Sequence, residues 1–160
     1  MRHVLARRLA YTPEQLFAMV GDVERYPEFV PWITALRVWN RRQAADDTTT
    51  LDAEARVRFR IIRERFATRV HLDAKALAID VSLLSGPFRH LKNRWRFHPS
   101  PVGPAEEGCE LVFEIDFELG SRLLHGVLAA NFDRAVAKLV ACFERRADAL
   151  YGPARSETLP

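Results

Sequence analysis

Four stretches of the chain alternate apolar and charged residues with a period of two. Between residues 51 and 61 the odd positions from Leu51 to Phe59 are apolar, and the even positions carry Asp, Glu or Arg. Similar alternation recurs at residues 65–73, 90–97 and 109–119. This period predicts β-strands with one buried and one solvent-facing side. Weaker alternation predicts further strands at residues 3–10, 33–41 and 76–84, which makes seven strands in all.

From Ser121 to Leu150 the apolar period changes to 3.6 residues, which predicts one long helix. Its apolar stripe consists of Leu124, Leu128, Phe132, Ala135, Leu139, Cys142, Phe143 and Leu150. At 1.5 Å per residue this helix is roughly 45 Å long. A helix with one apolar stripe must lie on an apolar surface of similar length, and the predicted strands supply that surface.

Two short helices are predicted between the first and second strands. Thr12 can cap the first, Pro13 suits its first position, and Gln15 can complete a capping box. Asp22 can cap the second helix, which Pro27 confines to one or two turns.

These elements predict an α+β fold. Consecutive alternating strands favour an antiparallel meander, and a sheet of seven strands must twist and curl. The long C-terminal helix then covers the concave apolar face, with the two short helices after strand 1 closing one end. We predict a single domain at residues 1–150, with residues 151–160 as a flexible C-terminal tail. A curled sheet around one helix leaves room for an apolar cavity between them.

Composition restricts the classes of protein that remain. The chain has 160 residues, of which 48% are hydrophobic, and a formal net charge of +3. We see no run of about 20 apolar residues that could span a membrane and no secretory signal. Cys109 and Cys142 fall on apolar positions, so we interpret both as buried thiols in a reducing compartment. The sequence therefore predicts a cytoplasmic protein that can make peripheral contact with the inner membrane face.

Motifs that carry catalysis are missing from the sequence. We find no zinc-ligand spacing, phosphate-binding loop, dinucleotide fingerprint or nucleophile elbow. The sequence thus predicts no catalytic residue, no metal and no cofactor. Two polar residues fall near apolar surfaces instead. Asn93 can make a structural hydrogen bond to loop backbone or contact a ligand headgroup, and His125 can face a cavity or be satisfied by backbone.

Basic residues concentrate around the link between the strands predicted at residues 51–61 and 65–73. Arg56, Arg58, Arg60, Arg63, Arg65 and Arg69 have few acidic neighbours in sequence. They form either a solvated sheet face or a surface that meets phosphate groups. Ile61 and Ile62 lie at their centre, an arrangement that suits transient contact with an anionic membrane.

Two blocks of sequence resemble a known superfamily. They are residues 23–32, VERYPEFVPW, and residues 85–91, SGPFRHL, the second followed by Trp95-Arg96-Phe97. The chain resembles the START-like, polyketide cyclase superfamily (SRPBCC), and within it is most similar to the coenzyme Q-binding protein group. The resemblance implies a helix-grip fold, namely a curved antiparallel sheet around a long C-terminal helix with an apolar cavity between. It also implies a carrier or chaperone of coenzyme Q or a related polyprenyl lipid that supports respiration, without catalysis.

The resemblance and the apolar pattern together nominate the ligand-binding residues. They are Phe29, Pro31, Trp32, Phe88, Leu91, Asn93, Trp95, Leu128, Phe132 and Ala135. The first three and Phe88, with Pro87, are expected either to shape the cavity mouth or to pack as a lid. Two alternatives remain, because the superfamily also contains polyketide cyclase and aromatase enzymes, and the same group contains a ribosome-association toxin. Nucleic acid or ribosome is an expected partner only in the toxin-like case.

Overall fold

The computed structural model describes residues 1–101 and 107–152, and these ranges form one sheet with two α-helices and a short 3-10 helix. The strands are Arg2–Leu9 (β1), Ile33–Gln43 (β2), Thr48–Phe59 (β3), Ile62–Asp73 (β4), Ala78–Ser85 (β5), Phe88–Pro99 (β6) and Cys109–Leu119 (β7). The helices are Pro13–Gly21 (α1), the 3-10 helix Val23–Glu28, and Arg122–Tyr151 (α2). All strand pairs are antiparallel, in the order β1-β7-β6-β5-β4-β3-β2. The predicted α+β helix-grip fold is confirmed.

The period-two pattern decides which face of the sheet is buried. In β3, Leu51, Ala53 and Ala55 are buried, while Arg56 and Arg58 are exposed. Register shifts interrupt the β2–β3, β4–β5 and β6–β7 pairings. Such irregularities bend and twist strands, which allows the sheet to curl around α2.

The start of α1 follows the predicted capping chemistry. The Thr12 hydroxyl accepts the Gln15 backbone N–H at 3.1 Å, and the Gln15 side chain accepts the Thr12 backbone N–H at 2.9 Å. Both are donors that the first turn of a helix leaves unpaired. At the other end, an added Cβ on Gly21 would lie 2.6 Å from Leu72 Cδ2, so glycine lets α1 approach β4 closely.

The buried side of α2 differs from the predicted stripe at four residues. Val136, Val140 and Ala147 are buried although the stripe omitted them, and Leu150 is 47% exposed although the stripe included it. Helix α2 packs against both β7 and α1, so its buried arc is wider than a face that meets the sheet alone.

The C-terminal end of α2 is fixed to the start of α1. Tyr151 belongs to the helix, one residue into the segment predicted as a tail, and its hydroxyl donates to the Gln15 carbonyl at 2.8 Å. The Tyr11 hydroxyl donates to the Gly152 carbonyl at 2.8 Å and also bonds Asp148. Residues 153–160, where the rest of the predicted tail falls, lie outside the described residues.

Candidate ligand-binding cavity

A cavity of about 310 Å³ lies between the concave face of the sheet and α2. Its volume is at the lower end of the range of small-molecule sites, about 300–1,000 Å³. Apart from Asn93 and Thr68, its walls consist of aromatic and aliphatic side chains from β2 to β7, the 3-10 helix and α2. Such a cavity favours an apolar ligand, because the transfer of an apolar group from water into it lowers the free energy.

Seven of the ten predicted ligand-binding residues line this cavity. They are Trp32, Phe88, Leu91, Asn93, Trp95, Leu128 and Phe132. The structure therefore brings together residues from β6, α2 and the end of the first matching sequence block. Ligand contact by these side chains stays a prediction.

Phe29, Pro31 and Ala135 are not among the lining residues. The Phe29 ring packs against the Phe143 ring with centroids 5.2 Å apart, and the Arg146 guanidinium lies 5.2 Å from the Phe29 ring centre. Pro31 is exposed, and Ala135 is half-buried. Phe29 thus packs as part of a lid against α2, while Ala135 has a side chain too short to reach the cavity that Phe132 and Leu139 line.

Other lining residues were not singled out from the sequence. They include Ala53, Ala55, Thr68, Val81, Ile115 and Phe117. All lie on the buried faces of predicted strands, so the period-two pattern marked them as interior. That pattern does not distinguish a side chain in solid packing from one beside a void, because both are removed from water.

Aromatic pairs form the walls of the cavity. Trp95 lies with its ring centroid 4.8 Å from that of Phe113 and 5.1 Å from that of Phe143. Phe88 contacts Phe66 edge-on at 5.2 Å. Edge-to-face contacts at these distances are favourable and restrict ring orientation, so the cavity has a defined shape.

The structure explains why the second matching block, residues 85–91, has a glycine at position 86. Its φ of +144° is one that side chains rarely adopt, and an added Cβ would lie 2.5 Å from the Phe66 Cβ. Glycine at this turn lets the β5–β6 connection approach β4 closely and places Phe88 against Phe66.

Two polar side chains line the cavity, and they differ in their hydrogen bonding. Asn93 donates to the Glu114 backbone carbonyl at 2.9 Å and accepts the Trp95 indole N–H at 2.8 Å. Thr68 is buried, and its hydroxyl has no hydrogen-bond partner among residues 1–101 and 107–152. The structural bond predicted as one alternative for Asn93 therefore exists, although the acceptor is on strand β7 and not in a loop.

Two other polar groups near the helix are satisfied by the protein. His125 Nδ1 accepts the Leu119 backbone N–H at 3.3 Å, which is the backbone alternative predicted for this residue. The Tyr26 hydroxyl donates to the Val20 carbonyl, and burial raises the pKa of Tyr26, so this phenol stays neutral.

Beyond Trp32 and Val57, at one end of the cavity, the β3–β4 hairpin turns through Arg60 and Ile61. Ile61 is 68% exposed, whereas Ile62 is 7% exposed. The predicted apolar tip of two isoleucines is therefore wrong for Ile62, because the two-residue turn returns that side chain to the buried face of the sheet.

Groups that could support metal or redox chemistry do not gather at the cavity. Within residues 1–101 and 107–152, no three His, Cys, Asp or Glu side chains lie close enough to hold a metal ion. Cys109 and Cys142 are buried and free, and burial raises the pKa of the Cys109 thiol to about 12. In the same part of the chain, no helix has the length and apolar character needed to cross a membrane.

A curved sheet that grips one long helix over an apolar cavity defines a helix-grip protein with an interior suited to ligand binding. The chain belongs to the polyketide cyclase / dehydrase and lipid transport family, whose model matches residues 9–144.

Curated relatives at about one-third identity carry two different names. Ribosome association toxin RatA of Rickettsia prowazekii is 32% identical over 142 residues, covering 87% of this chain and 90% of the toxin. The mitochondrial coenzyme Q-binding protein COQ10 homolog B of Xenopus laevis is 33% identical over 149 residues. That alignment covers 90% of this chain and 57% of the frog protein.

Solved structures agree with the helix-grip fold. The solution structure of the 18 kDa protein CC1736 from Caulobacter crescentus is 52% identical, with a TM-score of 0.79 over 96% of this chain and 99% of that one. The Zhui aromatase/cyclase from Streptomyces sp. R1128 has a TM-score of 0.71 over 96% of this chain and 99% of its own. At 19% identity, the second likeness is one of fold alone.

Proposed function

We propose that the protein binds coenzyme Q or a similar polyprenyl lipid in the cavity and acts as a carrier or chaperone that supports respiration. The observation that carries the proposal is an apolar cavity with two polar side chains, Asn93 and Thr68, on its sheet wall. A quinone headgroup has the matching character, since it is an apolar ring with carbonyl acceptors. The name of the coenzyme Q-binding relative supports this choice of ligand.

The cavity volume of about 310 Å³ suits a headgroup and the first part of a tail better than a long polyprenyl chain. The proposed complex therefore holds the ring inside, while the rest of the tail leaves the cavity. Short-tailed quinones should then bind nearly as tightly as long-tailed ones, because added isoprene units lie outside.

The proposed role is carriage without chemical change and without a resident cofactor. The names of the curated relatives, which refer to binding or association, support this. The lining residues include no histidine, cysteine, aspartate or glutamate. General acid–base or nucleophilic chemistry most often uses such groups. The Tyr26 hydroxyl, which also lines the cavity, donates to the Val20 carbonyl. A cyclase or aromatase activity would instead appear as a change in the mass of a polyketide incubated with the protein.

Mass spectrometry of organic extracts from natively purified protein tests the proposed ligand. We expect a polyprenyl quinone at a sizeable fraction of the protein concentration, and saturable binding when a short-tailed quinone is titrated into delipidated protein. Extracts without lipid in repeated preparations, together with no saturable binding, would reject the proposal.

A carrier must exchange its ligand with a membrane, so the proposal includes a cytoplasmic location with transient contact at the inner membrane face. The exposed Ile61, next to Arg60 in the β3–β4 turn, is the proposed contact. Co-flotation with anionic liposomes should fall for Ile61→Ser. A parent protein that does not float at low salt contradicts this contact.

Ribosome association is the second candidate function. It is favoured by the toxin names among the relatives, one of which aligns over 90% of its own length. Sedimentation of cell lysate through a sucrose gradient distinguishes the two functions. Comigration with ribosomal subunits at physiological salt would favour association, and recovery in the remaining fractions would favour the carrier.

A further inference from the structure

Strand register places four arginines side by side on the outer face of the sheet. Arg56 lies directly opposite Arg65, and Arg58 lies directly opposite Arg63, in the β3–β4 pairing. All four are exposed. We call these four residues the arginine surface. The sequence showed the two arginine-rich strands, but only the register shows that like charges face each other.

The arginine surface has no acidic partner in the part of the chain that the structure describes. None of its guanidinium groups lies within 4.0 Å of a carboxylate. Most other arginines in the strands are paired; for example, Arg69 lies 2.9 Å from Asp52 and Arg96 lies 2.9 Å from Asp80.

Like charges directly opposite each other on a sheet are destabilising. Two such pairs in succession therefore reduce the stability of the fold and do not contribute to it. Glu54, the nearest acid along β3 on the same face, lies 4.0 Å from Arg37 instead. An external anion would relieve the repulsion, because the nearby carboxylates of Glu54 and Glu64 form no ion pair within 4.0 Å with any of the four guanidinium groups.

The spacing of the four charges fits a chain of phosphates. Directly opposed residues lie about 5 Å apart, and successive residues on one face of a strand lie about 7 Å apart. These separations are comparable to those between neighbouring phosphates on a nucleic-acid strand. Arginine is also suited to phosphate, because its planar guanidinium can donate two parallel hydrogen bonds.

A polymer of phosphates fits this surface better than a lipid bilayer does. Membrane-surface binding by protein segments combines basic residues with apolar side chains that enter the bilayer. The shallow depressions around the arginine surface are bordered by Thr34, Ala35 and Val57, by Arg37, and by the carboxylates of Glu54 and Glu64. Ile61 lies beyond them in the turn at the strand ends, not on the face between the arginines.

We propose that the arginine surface binds the phosphodiester backbone of RNA. The inference rests on the second candidate function only for the choice of RNA over other nucleic acids, and it is independent of the apolar ligand. RNA binding by the purified protein and comigration with ribosomes are separate measurements, so either can fail while the other succeeds.

Fluorescence anisotropy with a labelled single-stranded RNA of about 20 nucleotides tests the proposal. Four phosphate contacts predict a slope of about −2.8 in a plot of log affinity against log salt. Affinity should therefore fall about 50-fold between 50 and 200 mM salt. The double variant Arg56→Gln/Arg58→Gln should show a slope of about −1.4. The quadruple variant, in which all four residues of the arginine surface are changed to Gln, should bind no RNA at 50 mM salt.

A matched control removes the same charge from paired arginines elsewhere on the protein. Arg89 lies 3.7 Å from Glu118 and Arg94 lies 3.6 Å from Asp80. Arg89→Gln/Arg94→Gln should keep the slope of the parent protein. The quadruple variant should melt no lower than the parent at low salt, because two repulsive pairs are removed; if it fails to fold, Arg56→Gln/Arg65→Gln and Arg58→Gln/Arg63→Gln replace it.

Three outcomes would overturn the proposal. They are no RNA binding by the parent protein at 50 mM salt, equal binding by the parent and the charge-neutralised variants, and an equal loss in the Arg89→Gln/Arg94→Gln control. Loss of flotation with anionic vesicles in the quadruple variant, without RNA binding by the parent, would assign the arginine surface to a membrane. A DNA strand that binds within a few-fold of RNA supports backbone contact, since arginine–phosphate bonds do not involve the sugar.

Discussion

The indole N–H of Trp95 donates to the side-chain oxygen of Asn93 at 2.8 Å, two residues earlier on β6. Asn93 in turn donates to the Glu114 carbonyl on β7 at 2.9 Å. Its polarity is therefore used to hold Trp95 in the cavity wall. Thr68 also lines the cavity, but its hydroxyl has no partner in the described chain, so the two polar groups have different roles.

Asn93→Ala should destabilise the protein. It leaves the Trp95 indole N–H without its partner and removes one donor from the Glu114 carbonyl, and an unpaired buried polar group costs about 1–3 kcal/mol. Thermal unfolding measures the effect as a lower melting temperature. A variant that melts with the parent protein would mean that these two hydrogen bonds do not support the wall.

Thr68→Val should leave the melting temperature unchanged or raise it, since no protein hydrogen bond is lost and the shape is nearly preserved. If the hydroxyl donates to a quinone carbonyl, quinone affinity should fall about 3- to 10-fold, the equivalent of one hydrogen bond. Titration of a short-tailed quinone measures this. Unchanged affinity would remove Thr68 from the proposed ligand contacts.

Substitutions at two buried alanines can distinguish the cavity from the solidly packed core. Ala53 lines the cavity, and Ala147 is 0% exposed in the core cluster without lining it. Ala53→Leu should keep the melting temperature, because the added atoms enter empty space, while quinone binding falls. Ala147→Leu should cost about 1–3 kcal/mol through overpacking and, where the protein folds, leave quinone binding intact.

Calorimetry and quinone titration on both alanine variants measure these effects. A large stability loss for Ala53→Leu, equal to that of Ala147→Leu, would mean that the space beside Ala53 is not free in solution.

Gly86→Ala should destabilise the protein by about 1–3 kcal/mol, the usual cost of a strained backbone conformation. The new methyl group would meet the Phe66 Cβ at 2.5 Å, at a φ of +144°. Gly126→Ala, in helix α2, is the matched control, because an added Cβ there would have no neighbour within 4 Å. Alanine at this helical position should increase the stability of the protein by about 0.5–1 kcal/mol. Equal melting temperatures for the two variants would contradict this account.

The environment of Asp52 leads us to expect that the protein loses stability at acidic pH. Its side chain is 6% exposed on the outer face, where it accepts hydrogen bonds from Arg69 at 2.9 Å and Asn40 at 3.0 Å. The Arg69 bond and then the Asn40 bond lower the pKa of Asp52. A carboxylate with a lowered folded-state pKa stabilises the fold above its unfolded value of about 3.9, and this contribution is lost as pH falls through the folded-state pKa.

Melting temperature measured against pH tests the role of Asp52. The parent protein should lose stability below pH of about 4, and Asp52→Asn and Arg69→Gln should each flatten that decline. A decline of equal steepness in the parent and in Asp52→Asn would show that other groups cause it.

The sequence by itself determined the element order and the buried faces of the strands. Period-two alternation in β3, β4, β6 and β7, and the capping box at Thr12, depend on local chemistry that is visible in one dimension. The blocks at residues 23–32 and 85–91 were sufficient to predict the superfamily, which the family match at residues 9–144 confirms.

Tertiary structure alone decided which interior residues line the cavity. Ala135 and Leu139 both belong to the predicted apolar stripe, yet only Leu139 lines the cavity, because the methyl group of Ala135 is shorter than the Leu139 side chain. The facing of Arg56 with Arg65 likewise required the β3–β4 register. A periodic pattern reports removal from water, whereas voids and like-charge pairs arise only when separate segments meet.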